Sequence, residues 1–380
     1  MWYFRAPQIV FGEDALSHLQ NLDARRIAVV TDATLNRLGY ARRVCEALPA
    51  GAVTAVFDAI EPEPSLETAR AGAVFLQSFA PDWIVAVGGG SVIDAAKAMW
   101  ALYANPGVNP SSINPIEDYG LRDKARFAAV PTTSGTGSEA TWAIVRTATA
   151  ERRKLGLGSR EAVPDLAVLD PEMVRELPAR LTADTGLDAL AHAVEGYTST
   201  FHNDFCDGLC LQAARLVFAY LPRACADGSD MEAREHLQNA ATIAGLGFGN
   251  SMAALAHGMG HALGGVFHVP HGRAVALFLP YTVEFTAESG ETARYDEIAH
   301  ALNLAPLAPG EGAALLAAAI RRLERSVGQP LTLREAGIDP MAFEAELDAL
   351  VENAMNDTQT LMAARIPDED EMHNLFRAAL

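Results

Sequence analysis

At 380 residues, half of them hydrophobic, the chain exceeds what one core usually serves, and two sizeable domains are expected. A formal net charge of -19 disfavours nucleic acid or an anionic membrane surface as the main partner, because both would repel it. Four cysteines without a CxxC pair argue against a disulfide scaffold and for a reducing compartment, the cytoplasm; no secretory leader and no apolar run of membrane-spanning length is read.

In chain order, Ile27-Ala28-Val29-Val30, Val53-Thr54-Ala55-Val56-Phe57 and Trp83-Ile84-Val85-Ala86-Val87 are short apolar runs without polar alternation. Such runs read as strands buried on both faces of a parallel sheet, and the helix-period stretches between them supply the crossovers. Phe127-Ala128-Ala129-Val130 and Leu166-Ala167-Val168-Leu169 extend the pattern. From Pro178 onward strand signals nearly vanish, and residues 182–200, 206–221, 231–249, 252–265, 311–326 and 341–355 carry helical periodicity. The expected fold is a Rossmann-like α/β nucleotide-binding domain over residues 1–180, followed by an all-helical domain over residues 181–380.

The strand ending at Val87 runs into Gly88-Gly89-Gly90-Ser91 and a helical stretch containing Asp94 and Lys97. Backbone amides at such a helix start approach a phosphate closely, and the helix dipole favours the negative charge. A tight turn without a ligand is the plainer alternative, since the run matches neither GxGxxG nor the phosphate loop of NTPases. A second turn, Pro131-Thr132-Thr133-Ser134-Gly135-Thr136-Gly137-Ser138-Glu139, follows another buried strand and supplies small hydroxyls for ribose, phosphate or carboxamide. Asp32, directly after the first buried strand, suits the hydroxyls of an adenosine ribose and would repel a 2′-phosphate, favouring NAD over NADP; a helix cap explains an Asp there equally well.

Asp188 and His192, four apart, share one face of a predicted helix that is otherwise Ala, Leu and Val. Burying that pair is unfavourable unless something ligates or pairs it. His257 and His261 repeat the spacing, and His268 and His271 follow, so that four of the ten histidines fall within 257–271. A lone histidine in such a setting is usually a core residue or a helix end, but six candidate donors together point to a cation such as Zn²⁺ or Fe²⁺ with a position left open for substrate oxygen. Cys206 and Cys210, also four apart, read as buried apolar thiols rather than a second site.

With these residues assembled, the chain resembles the iron-containing (group III) alcohol dehydrogenases, relatives of glycerol dehydrogenase and dehydroquinate synthase. The likeness runs through Ile9-Val10-Phe11-Gly12, Thr31-Asp32, the Gly88 turn with Asp94 and Lys97, and the Thr132 turn. It continues through Pro164-Asp165, Asp170-Pro171, Thr185 to His192, His257-Gly258-Met259-Gly260-His261, and His271-Gly272 before Leu279-Pro280. The resemblance implies a metal, Fe²⁺ or alternatively Zn²⁺, on Asp188, His192, His257 and His271. It further implies His261 near the substrate, Lys154 near the nicotinamide end of the cofactor, a small alcohol or aldehyde as substrate, and a homodimer or larger homo-oligomer. Hydride would pass between that substrate and the nicotinamide, with the metal as Lewis acid and His261 as the proton route. The chain departs from the family pattern at Asn203-Asp204, Val275-Ala276 and Ala363-Ala364-Arg365, none of them in the ligand set. The competing readings are a metal-independent reductase of the maleylacetate type, a dehydroquinate-synthase-like lyase, and a non-catalytic nucleotide- or metal-binding protein. The lyase would need a basic pocket for its substrate, and Arg273 is the one cation close to the ligands in sequence.

Overall fold

Successive residues along the central strands face two different cores: Ala28, Val30, Ile84, Ala86, Phe127 and Ala129 pack into one, Ile27, Val29, Val85, Val87, Ala128 and Val130 into the other. That is the signature of a sheet covered on both sides. The structure, a computed structural model, describes residues 3–62, 64–148, 153–290, 293–304 and 308–380. The chain divides into two units, Met1–Leu177 and Pro178–Leu380.

The first unit carries β1 (Gln8–Phe11), β2 (Arg26–Asp32), α1 (Ala33–Arg37), α2 (Tyr40–Ala47), β3 (Val53–Ile60), α3 (Leu66–Phe79), β4 (Trp83–Gly88), α4 (Gly90–Ala104), β5 (Arg126–Pro131), β6 (Ala143–Ala148), β7 (Arg153–Gly158) and β8 (Leu166–Leu169). Six strands form a parallel sheet in the order β1-β8-β5-β4-β2-β3. The chain goes outward from β2 to β3, then crosses back to β4 on the other side of β2, so the β2/β4 boundary is the switch point at which open α/β sheets bind ligands. One expectation changes: β3 is not buried on both faces. It is an edge strand, with Val53 and Val56 exposed, because nothing pairs beyond it within the described sheet. The β6–β7 hairpin is antiparallel and separate, and the short β1 adds the far edge; neither carries the long apolar run that marked the other strands.

The second unit is helical: α5 (Ala179–Thr198), α6 (Asp204–Ala226), α7 (Met231–Phe248), α8 (Leu255–Phe267), α9 (His271–Ala287), α10 (Ala293–Ala301), α11 (Gly312–Ser326), α12 (Pro340–Met355) and α13 (Glu369–Ala378). Its apolar side chains merge into one core in which α5, α8 and α9 are buried on nearly every face. That burial hides α9 in the sequence: a helix that is apolar all round shows no periodicity, and Pro280 lies inside it. The short α13 has a reciprocal capping box, Asp368 accepting from the Glu371 amide at 2.8 Å and Glu371 from the Asp368 amide at 3.0 Å. No helix among the described residues is long and apolar enough to cross a membrane.

Candidate metal centre and cofactor turns

Helix α5 carries a line of polar side chains through an apolar core: Asp184, Asp188, His192 and Glu195 are all buried. Each is accounted for by a different partner. Asp184, one turn before Asp188, receives a bidentate pair from Arg273 of α9, at 3.0 and 2.7 Å from Nη2, while Arg273 Nε also reaches Gln329 at 3.1 Å. Burial pushes the Asp184 carboxyl above its ordinary value despite the opposing pull of Arg273. This pair pins α9 to α5, and Gly272 lets the helices touch: a Cβ there would stand 2.2 Å from the Asp184 carbonyl oxygen and 3.1 Å from Asp188 Cβ. The residue before it, His271, is thereby delivered to Asp188, its Nε2 3.4 Å from Oδ1.

Asp188, His192 and His257 each offer a ligand atom, and the three atoms lie within 4.8 Å of one another. His192 Nδ1 is 3.9 Å from Asp188 Oδ2, and its ring is stacked on Phe248 with centroids 3.9 Å apart and planes 12° apart. His257 Nε2 is 3.8 Å from Asp188 Oδ1, while its Nδ1 is bonded to Glu195. Burial disfavours protonating His257, yet Glu195, followed by Asp188 and Asp357, raises its affinity for a proton above the ordinary imidazole value. A cation among these donors would take the place of that proton. His257 Nε2 is buried and has no hydrogen-bond partner among the described residues, which is the condition of a donor reserved for a ligand rather than satisfied by the core. Three imidazoles and one carboxylate fit Fe²⁺ or Zn²⁺.

His261 sits one turn beyond His257 on α8, stacked on His271 with centroids 5.2 Å apart, its Nδ1 2.8 Å from Oδ2 of Asp357. Asp357 follows α12; burial would raise its carboxyl, but His261 and the Gln359 amide bring it below the usual carboxylate range. The last of the six candidates, His268, leaves the group: it terminates α8 in a left-handed conformation, φ 56°, and is exposed. Cys206 and Cys210 are buried, and burial raises both thiols. Glu195, Asp357 and Phe248 were not anticipated from the sequence. Glu195 had a readable signal, being seven residues from Asp188 and hence on the same helix face; the other two are brought in from distant segments.

The cofactor candidates gather at the carboxyl ends of three neighbouring strands. Asp32 ends β2 and caps α1, Oδ1 accepting from the Thr34 and Leu35 amides at 2.8 and 2.9 Å. Gly88 ends β4 in register with Pro131 of β5, so the glycine and threonine turns lie side by side. They also touch: a Cβ on Gly89 would meet Thr133 at 3.1 Å, and one on Gly90 would meet Thr136 at 2.6 Å. Gly89 caps α4 without a side-chain bond, Ser91 is exposed on its first turn, and Thr132 is buried beneath. Lys97, fully buried, donates from Nζ to the carbonyls of Ser138 and Thr141 at 2.7 and 2.8 Å and so ties the threonine turn to α4. Lys154 lies on β7, and its side chain is outside the described residues.

The model of a family described as iron-containing alcohol dehydrogenase matches residues 6–171, and that of the Fe-containing alcohol dehydrogenase family, C-terminal, matches residues 182–380. The chain is 37% identical to the NADPH-dependent butanol dehydrogenase of Clostridium saccharobutylicum, covering 99% of this chain and 97% of that one. It is 38% identical to the bifunctional aldehyde-alcohol dehydrogenase of Escherichia coli K12, of which it spans 45% of the length. Among solved structures it is similar to a 1,3-propanediol oxidoreductase, 32% identical, with all of both chains covered and a TM-score of 0.93.

Proposed function

The chain belongs to the iron-containing alcohol dehydrogenase family, and on that premise we propose that it oxidises a short primary alcohol, or reduces its aldehyde, with NAD rather than NADP and with metal held by Asp188, His192, His257 and His271. It is an oxidoreductase acting on alcohols and aldehydes with NAD(P). The observation that carries the metal part is the buried meeting of Asp188, His192 and His257, with His257 Nε2 lacking a hydrogen-bond partner among the described residues. When bound, the metal supplies Lewis acidity toward the substrate oxygen.

The chain's own residues do the rest. The amides of Gly88, Gly89, Gly90 and Ser91 at the start of α4 would receive the pyrophosphate, and Thr132, Thr133 and Thr136 would orient ribose or carboxamide. Asp32 uses Oδ1 for its cap, and its charge is what would turn away a 2′-phosphate. Asp357, held ionised, accepts Nδ1–H of His261 and leaves Nε2 as the ring's acceptor, ready to take the alcohol proton. Lys154 keeps the role that the family resemblance implies. Arg273 is occupied by Asp184 and Gln329, which disfavours a lyase that would need it for an anionic substrate. The retained ligand set likewise disfavours a metal-independent reductase. The same reading includes a homo-oligomer, for which the exposed Phe11 on edge strand β1 is a candidate contact, working in the cytoplasm.

The test is a spectrophotometric screen of short alcohols and aldehydes with NAD and NADP, repeated after chelation and after refilling with Fe²⁺ or Zn²⁺. Turnover of C3–C4 primary alcohols with NAD, lost on chelation and restored by one of the metals, is expected. Turnover that survives chelation, or no turnover of any alcohol or aldehyde, would overturn the reading.

A further inference from the structure

Glu195 is buried on α5, three residues after His192, and both of its oxygens are engaged. Oε1 accepts from the Ala256 amide at 2.5 Å; Oε2 accepts from the Ala254 amide at 3.0 Å and meets Nδ1 of His257. Ala254 and Ala256 stand at the start of α8, a helix whose own N-cap side chain, a methyl group, makes no cap bond. The carboxylate therefore satisfies from a neighbouring helix the amides that a Ser or Asp would satisfy locally. It also sits where the partial positive charge of the α8 N-terminus favours an anion.

A carboxylate can only accept, and two of the three groups around it are backbone donors. The third, His257 Nδ1, must carry its proton to bond there, which leaves Nε2 of the neutral ring without one. That bare nitrogen is the atom 3.8 Å from Asp188 Oδ1 and without a hydrogen-bond partner among the described residues. We propose that Glu195 is the positioning residue of the centre: by holding His257 in the Nδ1–H form while capping α8, it fixes both the ring's place and the donor it presents to the metal. This rests on the metal reading above. His192 is fixed by another device, its stack on Phe248, so the two histidines should respond differently to loss of the carboxylate.

Glu195→Gln keeps the shape but offers one acceptor oxygen and an NH₂ group. With the amide turned one way, NH₂ faces the Ala256 N–H; turned the other, it faces the Ala254 N–H and drives His257 to the tautomer with its proton on Nε2, where it blocks a metal. The experiment measures Co²⁺ affinity of the metal-free full chain by chelator competition, with the visible spectrum of bound Co²⁺ as a report on coordination. Glu195→Gln should bind Co²⁺ roughly 10–100-fold more weakly and with an altered spectrum, while circular dichroism stays that of the wild type. Equal affinity in a folded variant overturns the proposal, as does full recovery when Ala254→Ser restores a local cap, since capping alone would then explain Glu195. ¹⁵N NMR of His257 in the metal-free wild type, read at a pH high enough that the ring is neutral, needs no variant: a neutral ring with its proton on Nδ1 supports the proposal, and one with its proton on Nε2 overturns it. A wild-type chain that binds no Co²⁺ overturns the metal reading and this inference together; a wild type that binds, beside an indifferent Glu195→Gln, overturns this inference alone.

Discussion

Around Asp188 the side chains are charged or ionisable, buried apart from the partly exposed His271, and fixed by further side chains, whereas at the carboxyl ends of β2, β4 and β5 the candidate groups are amides, small hydroxyls and the Asp32 carboxylate, already at rest in ordinary contacts. Arg273, Glu195, Asp357 and Phe248 each hold one member of the first region. In the second, Asp32 is a complete helix cap and Gly90 is packed on Thr136. A buried donor without a partner declares a ligand by the penalty its absence would carry; a glycine turn declares only that something, ligand or neighbour, comes close. The helical unit therefore states its chemistry through side chains, and the α/β unit states it through topology.

The sharpest way to break this contrast is Asp188→Ala. Asp188 Oδ1 faces both His257 and His271, so the variant should lose the metal altogether and with it roughly ten-thousandfold or more of kcat/KM, as expected when several kcal/mol of Lewis-acid stabilisation vanish. Metal analysis and steady-state kinetics check it; an active, metal-free variant would sink the assignment. His261→Gln comes next. About a hundredfold loss of kcat with metal content unchanged is expected of a proton-transfer group, whereas loss of metal would make His261 a ligand.

Perturbing the cofactor turns should move a different observable. Gly90→Ala puts a Cβ 2.6 Å from Thr136 Cγ2 and 3.0 Å from its Cβ, so the two turns must part. NAD binding, followed by NADH fluorescence, should weaken about tenfold, or ~1.4 kcal/mol, with metal content intact. A metal defect there would mean that the two regions are not separable. Asp32→Ser removes the charge but keeps a capping oxygen. The ratio of kcat/KM for NADP over NAD should rise about tenfold; an unmoved ratio would leave Asp32 a helix cap and nothing more.

The same contrast governs what the sequence disclosed. The strands buried on both faces were legible because Val, Ile and Ala runs admit little else, and Asp188, His192 and Glu195 share a spacing visible without coordinates. The hairpin β6–β7, edge strand β1 and all-round apolar α9 left no periodic trace. Asp357 is 96 residues from the His261 it holds, and no local pattern could join them. The role of Gly272 was likewise hidden, since its value lies in the carbonyl of Asp184 pressing against it. Long-range polar pairing was the illegible part, because it depends on which helices meet rather than on either helix alone.

Glu324 sharpens the comparison from the other side, with the smallest effect. On α11 it is 0% exposed, and neither carboxyl oxygen has a hydrogen-bond partner among the described residues. Arg321, its nearest source of positive charge, is bonded to Glu284 at 2.5 and 2.7 Å. Burial raises the Glu324 carboxyl well above the ordinary value, with Arg321 opposing too weakly. Glu195, equally buried, meets three polar groups; Glu324 meets none described and, unlike His257, has no cluster of further ligating side chains beside it among the described residues, so it is a burden on the fold rather than part of a site. With a folded value above the unfolded one, near 4.3, its favourable contribution is complete below the unfolded value and lost as pH rises through the folded one. Glu324→Gln keeps the shape and removes the titration. Its Tm should match the wild type near pH 4 and exceed it increasingly toward neutrality, by roughly 1–3 kcal/mol of stability, a few degrees for a unit of this size. A Tm difference independent of pH, or a less stable variant at neutral pH, would show that the carboxyl has a partner after all and belongs with Glu195.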